Sequence, residues 1–427
     1  MQRDIAIVGG GLAGLTAAAT AANAGAQVTV LEAREHPGGR ARSTATASGA
    51  RLNQGPHALY AGFAGWQVLD GLGIEPRGGR PSPHAYGWLR GRVDRLPGTP
   101  LDALRTRLVP LRVKAQLGKV LANPKALLRD QLAGRSYADW IDAKLSHPDA
   151  VALARMLGRV TTYIDDPASV AAEAAVPQLV GALRDGVRYL DGGWDQLVGA
   201  LRAVAERAGA KIRTGGKVLR VHAAHGGHGV WTVDTDDGRL DADAVIIATG
   251  GPGHVATLLG DASATAARWV DEERPVCMTS LDLHLARLPR PDIRAAFGVD
   301  TPYYFSVHTP TAALAPDGEV LHVARYGESR EDPRAELETF LDELQPGWRA
   351  EVRAEQYGRQ LVVTHGRPGP EAGFAGRPGP AVADCPGVFV AGDWVGARGM
   401  LADAALASGH DAAQLAAHAP IGRDSVR

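Results

Sequence analysis

The sequence predicts an α/β protein in which a parallel-sheet domain is interrupted by an inserted domain of mixed α+β character. The first observation is a strand, a glycine turn, a helix and a second strand at the start of the chain. The second is a pair of apolar segments, at 244–250 and 387–413, that can add strands to the same sheet. The third is the pattern between these segments, which changes first to helices and later to alternating strands.

The N-terminal unit begins with the β-branched run Asp4 to Val8 and closes with the strand Val28 to Leu31, which ends on Glu32. Its glycines follow the spacing G-x-G-x-x-G and are Gly9, Gly11 and Gly14. An Ala-rich helical run connects the two strands. An acid about twenty residues after such glycines completes the pattern of a dinucleotide site. The alternative is a simple glycine-rich turn in a chain that contains 53 glycines.

Each part of this pattern has a physical role. Gly9 permits a sharp turn, Gly11 lets a pyrophosphate approach the backbone, and Gly14 lets the helix pack on the strand. The first helical N–H groups, at Leu12 and Ala13, then point at the phosphate charge. Glu32 can accept hydrogen bonds from both ribose hydroxyls and would repel a 2′-phosphate. We therefore expect a dinucleotide here.

Ala33 and Arg34 follow Glu32. Residues 38–43 then read GGRARS, which begins with Gly38, Gly39 and Arg40. This segment resembles the flavin-dependent amine oxidase and phytoene desaturase superfamily, whose members carry ExxxxxGGRxxS after the glycine turn. The resemblance implies that the dinucleotide is non-covalent FAD, with Arg40 against its diphosphate and Arg34 beside its adenosine. A planar, permanently charged guanidinium suits two phosphates.

The resemblance also implies a fold and its domain limits. We expect a Rossmann-like FAD-binding domain with an inserted mixed α+β substrate domain, as in the amine oxidase and glutathione reductase-2 type fold. The FAD-binding domain would comprise residues 1–65, 189–255 and 381–427. The substrate domain would comprise 66–188, a helical insert, and 256–380, which adds a sheet.

Several further segments match the same superfamily. By resemblance, Gly55, Pro56 and His57 would face the isoalloxazine ring, and Val218 would offer its backbone to adenine. His57 is a candidate catalytic residue, although a hydrogen-bonded structural imidazole explains it equally well. His365 is a weaker candidate for the flavin side of the site.

The C-terminal segment GVFVAGDWVGARGML carries the superfamily's GDW motif and a long apolar helix. By resemblance, Gly392 and Asp393 would lie at the ribityl chain and diphosphate. Met400 and Leu401 would begin a helix whose N–H groups point at the flavin N1 and C2=O edge. A helix N-terminus there would stabilise an anionic reduced flavin.

The inserted region is predicted to be helical from Trp66 to Arg188, with a helix after Pro110, another at SYADWI and a stretch broken at Pro177. Residues 101–129 hold seven basic residues and one acid. A basic amphipathic helix of this kind either rests on a membrane surface or is a domain helix with a solvated face. The later part reads as strands, in which Tyr303, Tyr304 and Phe305 are either an aromatic wall of the substrate site or ordinary core aromatic residues.

Composition narrows the function classes. The formal net charge of −1 gives no reason to expect a nucleic acid partner. Cys277 and Cys385 form neither a disulfide framework nor a metal-ligand spacing, so no metal is expected. No apolar run reaches about 18 residues, and the first strand begins at residue 4, so the cytoplasm is the expected location.

The leading hypothesis is a desaturase-like FAD-dependent oxidoreductase. It would transfer a hydride from a lipophilic, isoprenoid-like or natural-product-like substrate to flavin N5. Amine oxidases of the superfamily usually place a lysine near N5, whereas this chain has no lysine after Lys217. Amine oxidation nevertheless stays open as an alternative, as does a non-enzymatic escort protein for prenylated partners. The electron acceptor is left open.

Overall fold

The computed structural model describes residues 2–224, 229–329 and 332–419. Its strands are β1 Asp4–Val8, β2 Gln27–Glu32, β3 Thr44–Ala45, β4 Arg51–Leu52, β5 Leu59–Tyr60, β6 Gly78–Gly79, β7 Tyr86–Leu89, β8 Arg92–Arg95, β9 Val187–Leu190, β10 Lys211–Thr214, β11 Val218–Ala223, β12 Trp231–Thr235, β13 Gly238–Ala242, β14 Ala244–Ile247, β15 Val276–Leu285, β16 Ala295–Gly298, β17 Tyr303–Val307, β18 Glu319–Tyr326, β19 Val352–Thr364 and β20 Val388–Val390. Its α-helices are α1 Leu12–Asn23, α2 Ala64–Gly71, α3 Pro100–Arg105, α4 Leu111–Leu121, α5 Pro124–Leu127, α6 Tyr137–Asp142, α7 Pro148–Thr162, α8 Ala172–Asp185, α9 Asp195–Arg207, α10 Pro252–Leu259, α11 Ala264–Glu272, α12 Pro333–Leu344 and α13 Leu401–His418.

The first sheet is the predicted parallel one, with strand order β10-β2-β1-β14-β20. Its apolar strands are buried because helices α1, α9 and α13 cover one face and the β11–β13 meander and α10 lie on the other. Small residues allow the helices to approach closely. A side chain at Gly409 in α13, for example, would come within 2.3 Å of the Ala13 carbonyl in α1.

The second sheet has seven strands in the order β19-β15-β18-β17-β16-β7-β8. Alternation along its strands divides the side chains between two faces. Leu281, Val323 and Phe305 pack on one face against Phe340 and the rest of α12. The opposite face of the sheet is turned toward residues 53–57 and forms part of the candidate site.

The helical insert differs from the prediction in two places. β7 and β8 form a hairpin that joins the second sheet, so residues 66–188 are not wholly helical. Arg90 and Gly91 both have positive φ at its tight turn, as a type I′ hairpin requires, but four-residue strands leave little periodicity to detect. The predicted break at Pro177 is also wrong. α8 runs through this proline because its apolar residues, Val176 and Val180 among them, are buried in the helical cluster.

Candidate functional site

The predicted site residues gather where the parallel strands end. β1, β2, β14 and β20 all present their carboxyl ends to one edge of the first sheet. The Gly9 N–H donates to the Leu31 carbonyl at 2.8 Å, so the first glycine turn lies directly on the neighbouring strand. In the doubly wound folds, ligands bind at this edge, where the strand order reverses on either side of the first strand.

The three fingerprint glycines have different surroundings. Gly9 has φ +104°, and a side chain there would come within 2.7 Å of the Ala248 carbonyl. A side chain at Gly14 would come within 1.9 Å of the Gly9 carbonyl. Gly11 has no atom within 4 Å of the corresponding point, and no side chain caps α1, which starts at the next residue. Gly11 therefore leaves open space before a helix N-terminus, including the N–H groups of Leu12 and Ala13, and an anion fits there.

Glu32 is held in a fixed orientation beside this space. Its Oε2 accepts the Gly10 N–H at 2.7 Å, and its Oε1 accepts the Arg34 N–H at 2.9 Å across Ala33. The Arg34 carbonyl in turn accepts the Gly215 N–H at 3.0 Å, which brings the turn before Val218 to the same edge. Each carboxylate oxygen retains a second lone pair that a ribose hydroxyl could use.

The second glycine turn lies against the first. The Gly38 N–H donates to the Gly10 carbonyl at 2.7 Å, and Gly38 and Gly11 form an isolated parallel bridge. Gly38 and Gly39 both have positive φ, which explains why glycine is used at both positions. The two turns predicted to hold the diphosphate are thus in direct contact.

Arg40 follows the second turn and connects three distant segments. One nitrogen, Nη1, lies 2.6 Å from Asp393 Oδ2 and donates to the Val363 carbonyl at 2.7 Å. Asp393 Oδ1 also accepts the His365 N–H, and the Gly392 N–H donates to Ser408 in α13. The Arg40 side chain is 40% exposed, so donors remain for an anion at the glycine turns. An uncapped helix N-terminus, an open glycine and a guanidinium together fit a diphosphate.

Arg377 was not expected at the site, yet it positions the start of α13. Its guanidinium donates to the Gly399 carbonyl at 2.8 Å and to the Gly366 carbonyl at 3.1 Å. Burial lowers the pKa of Arg377 to about 10, an effect partly opposed by the charge of Asp393. An isolated arginine in a Pro- and Gly-rich loop carries no sequence signal that could have identified it.

The helix α13 begins at Leu401, which has φ +55°, and Met400 before it is buried. No side chain caps this N-terminus, as expected for a helix end that faces a ligand. Asp403, in the first turn, accepts the Gly65 N–H at 2.9 Å, and its burial raises its pKa to about 7. This buried acid was also missed, because its burial depends on α2 packing over it.

Residues 55–57 lie between the two sheets. Gly55, with φ +89°, donates its N–H to Asp282 at 2.9 Å, and the Pro56 carbonyl accepts the Tyr163 hydroxyl at 2.8 Å. His57 Nδ1 lies 2.9 Å from the Gly55 carbonyl, and its ring packs edge-on to Trp194. Burial lowers the pKa of His57, so the imidazole is neutral at physiological pH.

The two candidate catalytic histidines are in different environments. The His365 ring lies 2.6 Å from Glu273 in a cleft beside Gly251 and Pro252, and only its backbone contacts Asp393. The His57 ring instead contacts the Gly55 carbonyl and Trp194. Catalytic roles for both residues stay predictions.

The proposed aromatic wall is only partly correct. Tyr304 lies on the inward face of the second sheet, near Tyr326, which is itself edge-on to Tyr163. Tyr303 lies on the opposite face, where its ring stacks on Phe340, and Phe305 is buried there too. Strand alternation gives this result, since adjacent residues of β17 point to opposite faces.

The described part of the chain contains neither a cluster of metal ligands nor a membrane-spanning helix. In the ranges 2–224, 229–329 and 332–419, no group of three or more His, Cys, Asp or Glu side chains could hold a metal ion. Within those same ranges, no helix is both long and apolar enough to cross a membrane.

Comparison with known proteins supports the predicted resemblance. The family described as flavin-containing amine oxidoreductase matches residues 12–269. A hydroxyneurosporene desaturase from Rhodobacter capsulatus is 29% identical over 299 residues, which cover 61% of this chain and 59% of the relative. A phytoene dehydrogenase from Streptomyces griseus is 28% identical over 278 residues, covering 57% and 53%. The chain therefore matches less than two thirds of the length of these relatives.

Solved structures show the same fold. An oxidoreductase from Methanosarcina mazei superposes with a TM-score of 0.76 at 20% identity, covering 95% of this chain and 98% of the other. A cyclohexylamine oxidase from Brevibacterium oxydans gives 0.69 at 18% identity, covering 98% of both chains. At such low identities the likeness confirms the predicted fold class and carries no information on substrate.

Proposed function

Because the chain belongs to the flavin-containing amine oxidoreductase family, we propose that it is an FAD-dependent dehydrogenase of the desaturase type, acting on a lipophilic substrate. The similarity to a hydroxyneurosporene desaturase and a phytoene dehydrogenase over more than half of the chain supports this choice. When bound, FAD would accept a hydride from a substrate C–H bond, and a proton from the neighbouring atom would leave to a base or to solvent.

Different residues of the site would bind different parts of FAD. The open space at Gly11 and the Arg40 guanidinium would take the diphosphate, and Glu32 would take the adenosine ribose. Asp393 would accept from the ribityl hydroxyls. The ring would lie between residues 55–57 and the start of α13 at Leu401. The single observation that carries the proposal is the Arg40–Asp393 pair, which joins the second glycine turn to the GDW segment.

The surface facing the proposed ring position favours a neutral substrate. Tyr304 and Tyr326 are buried and Tyr163 is partly buried, and burial raises the pKa of all three, so each is an uncharged phenol. No lysine follows Lys217 in the sequence. An amine oxidase that uses a lysine near the flavin would need a different arrangement.

A peripheral membrane contact through residues 101–129 would suit a lipophilic substrate. Leu104 is 82% exposed and Leu111 is 78% exposed, and both lie among basic residues such as Arg105 and Arg112. Apolar side chains surrounded by cations match an anionic lipid surface, where the leucines insert and the cations meet headgroups. We propose this surface as the face through which substrate enters.

The test is anaerobic reduction of the bound flavin by a panel of compounds, monitored by absorbance. Apolar polyenes are expected to bleach the flavin, whereas small primary amines are not. Bleaching by amines alone would assign the chain to the amine oxidase branch. A protein purified without any flavin would favour the escort alternative.

A further inference from the structure

The inward face of the second sheet changes in chemistry along its length. At one end lie Met278, Tyr304 and Tyr326, which form an aromatic and apolar cluster. At the other end lie Asp282 and a pair of imidazoles, His308 and His322, referred to below as the histidine pair. All three of these polar residues are essentially inaccessible to solvent.

Asp282 fixes the orientation of His322. Its Oδ1 lies 2.8 Å from His322 Nδ1 and also accepts the Ser280 hydroxyl at 2.6 Å. A carboxylate at this distance selects the tautomer with the proton on Nδ1, in which Nε2 carries a lone pair and is an acceptor. No partner reaches that atom among the described residues, although it is buried.

The His308 ring is also held in a fixed position, and one of its nitrogens also lacks a hydrogen-bond partner. Its ring stacks on Tyr189 with centroids 3.6 Å apart, and it lies 4.3 Å from the His322 ring. Burial lowers the pKa of His308 well below its usual value, and the neighbouring His322 lowers it further, so the ring is neutral. Its Nε2 likewise has no partner in the described part of the chain.

Two unpartnered imidazole nitrogens in one buried place are costly, since buried polar groups nearly always find a hydrogen bond. They also lie close to the proposed ring position, because the carboxylate that orients His322 accepts the Gly55 N–H through its other oxygen. The arrangement therefore has the properties of a binding subsite connected to the loop that would face the flavin.

We infer that the histidine pair binds a hydroxyl group of the substrate, which makes the substrate a lipophilic alcohol rather than a bare hydrocarbon; this rests on the proposed function. A hydroxyl can donate to His322 Nε2 and accept from the Nε2–H of neutral His308 in the tautomer that carries its proton there. A ketone or an ether satisfies only the second atom, and a hydrocarbon satisfies neither. A carboxylate is disfavoured by the nearby Asp282 carboxylate.

The test compares two ligands on the FAD-loaded protein: the C20 isoprenoid alcohol geranylgeraniol and the matching hydrocarbon without its hydroxyl. Affinity is read from perturbation of the flavin spectrum under anaerobic conditions. Two hydrogen bonds gained over the hydrocarbon should make the alcohol bind roughly tenfold or more tightly. Equal affinities, or binding of neither ligand, would overturn the inference.

Matched variants separate recognition from folding. His322→Asn keeps a polar atom where Nδ1 meets Asp282 and removes Nε2, whereas His308→Phe keeps the stack on Tyr189. Each should remove most of the preference for the alcohol while leaving hydrocarbon affinity within about twofold. A loss of both affinities by the same factor, or an unchanged preference, would assign the pair to holding buried water. Failure of the proposed function itself is seen separately, as a flavin that no member of the wider panel reduces.

Discussion

Arg40 and Asp393 lie 2.6 Å apart although they come from opposite ends of the chain. The first follows the second glycine turn, and the second follows the last strand of the parallel sheet. Their contact joins the GDW segment to the second glycine turn, which itself lies against Gly11. This ion pair marks the place where we expect a charged ligand to bind, and that expectation can be tested by substitution.

Changing Asp393 to asparagine should weaken FAD binding without breaking the fold. The amide can still accept the His365 N–H, but the Arg40 guanidinium loses its charged partner and its orientation. We expect roughly tenfold weaker affinity when apoprotein is titrated with FAD. Asp411→Asn, which removes a surface partner of Arg398, is the matched control and should leave the affinity unchanged. Equal affinities for both variants would show that Asp393 takes no part.

Alanine substitutions at two glycines of the first turn should affect folding and cofactor binding separately. Gly14→Ala places a methyl group 1.9 Å from the Gly9 carbonyl and should lower the melting temperature of the apoprotein. Gly11→Ala meets no protein atom, so its apoprotein should melt close to wild type while it retains little FAD. Differential scanning calorimetry and flavin content measure the two effects. An alanine at position 11 that keeps full flavin content would place the phosphates elsewhere.

Asp403 should make the stability of the protein depend on pH near neutrality. Its folded-state pKa is about 7, and its unfolded value is roughly 3.9. The folded state then binds the proton more tightly, so stability falls as pH rises from about 4 to 7 and levels off above.

Asp403→Asn removes this charge and keeps an acceptor for the Gly65 N–H. The variant should exceed wild type in unfolding free energy at pH 8 by up to about 4 kcal/mol, with little difference at pH 4. Denaturant titrations at the two pH values measure the gap. A gap that is the same at both values would mean that Asp403 does not titrate as its burial implies.

The leucines of residues 101–129 should control attachment to anionic vesicles. Replacing Leu104 and Leu111 with glutamine removes the most exposed apolar side chains of this surface and leaves its charges. Binding to vesicles of mixed phosphatidylcholine and phosphatidylserine should fall several-fold in a sedimentation assay. Leu219→Gln, at another exposed leucine, serves as the control. Wild-type protein that stays in the supernatant would rule out the membrane contact.

The parallel sheet and its ligand edge could be predicted from sequence because their signals are local. The run from Asp4 to Glu32 encodes strand, turn, helix and acid within one short segment, and the structure reproduces each part. The sequence signal for the helix that begins after Ser136 is equally local, since its capping box lies within four residues.

What the sequence could not show depends on contacts between distant segments. The histidine pair arises only when β17 and β18 are placed side by side, and Arg377 gains meaning only beside Gly399. The helix break predicted at Pro177 is wrong because the burial of apolar α8 residues on both sides of the proline outweighs its tendency to end a helix. The β7–β8 hairpin was missed because its strands are too short for a period to appear.

The central claim is that one FAD is held between the two glycine turns, Arg40 and Asp393. The most direct measurement is the ratio of flavin released on denaturation to protein, for wild type and for Arg40→Ala purified in parallel. We expect a ratio near one for wild type. The variant should be largely colourless, and its melting temperature should be similar once both proteins are stripped of cofactor. A colourless wild type, or a variant that keeps its full flavin content, would contradict it.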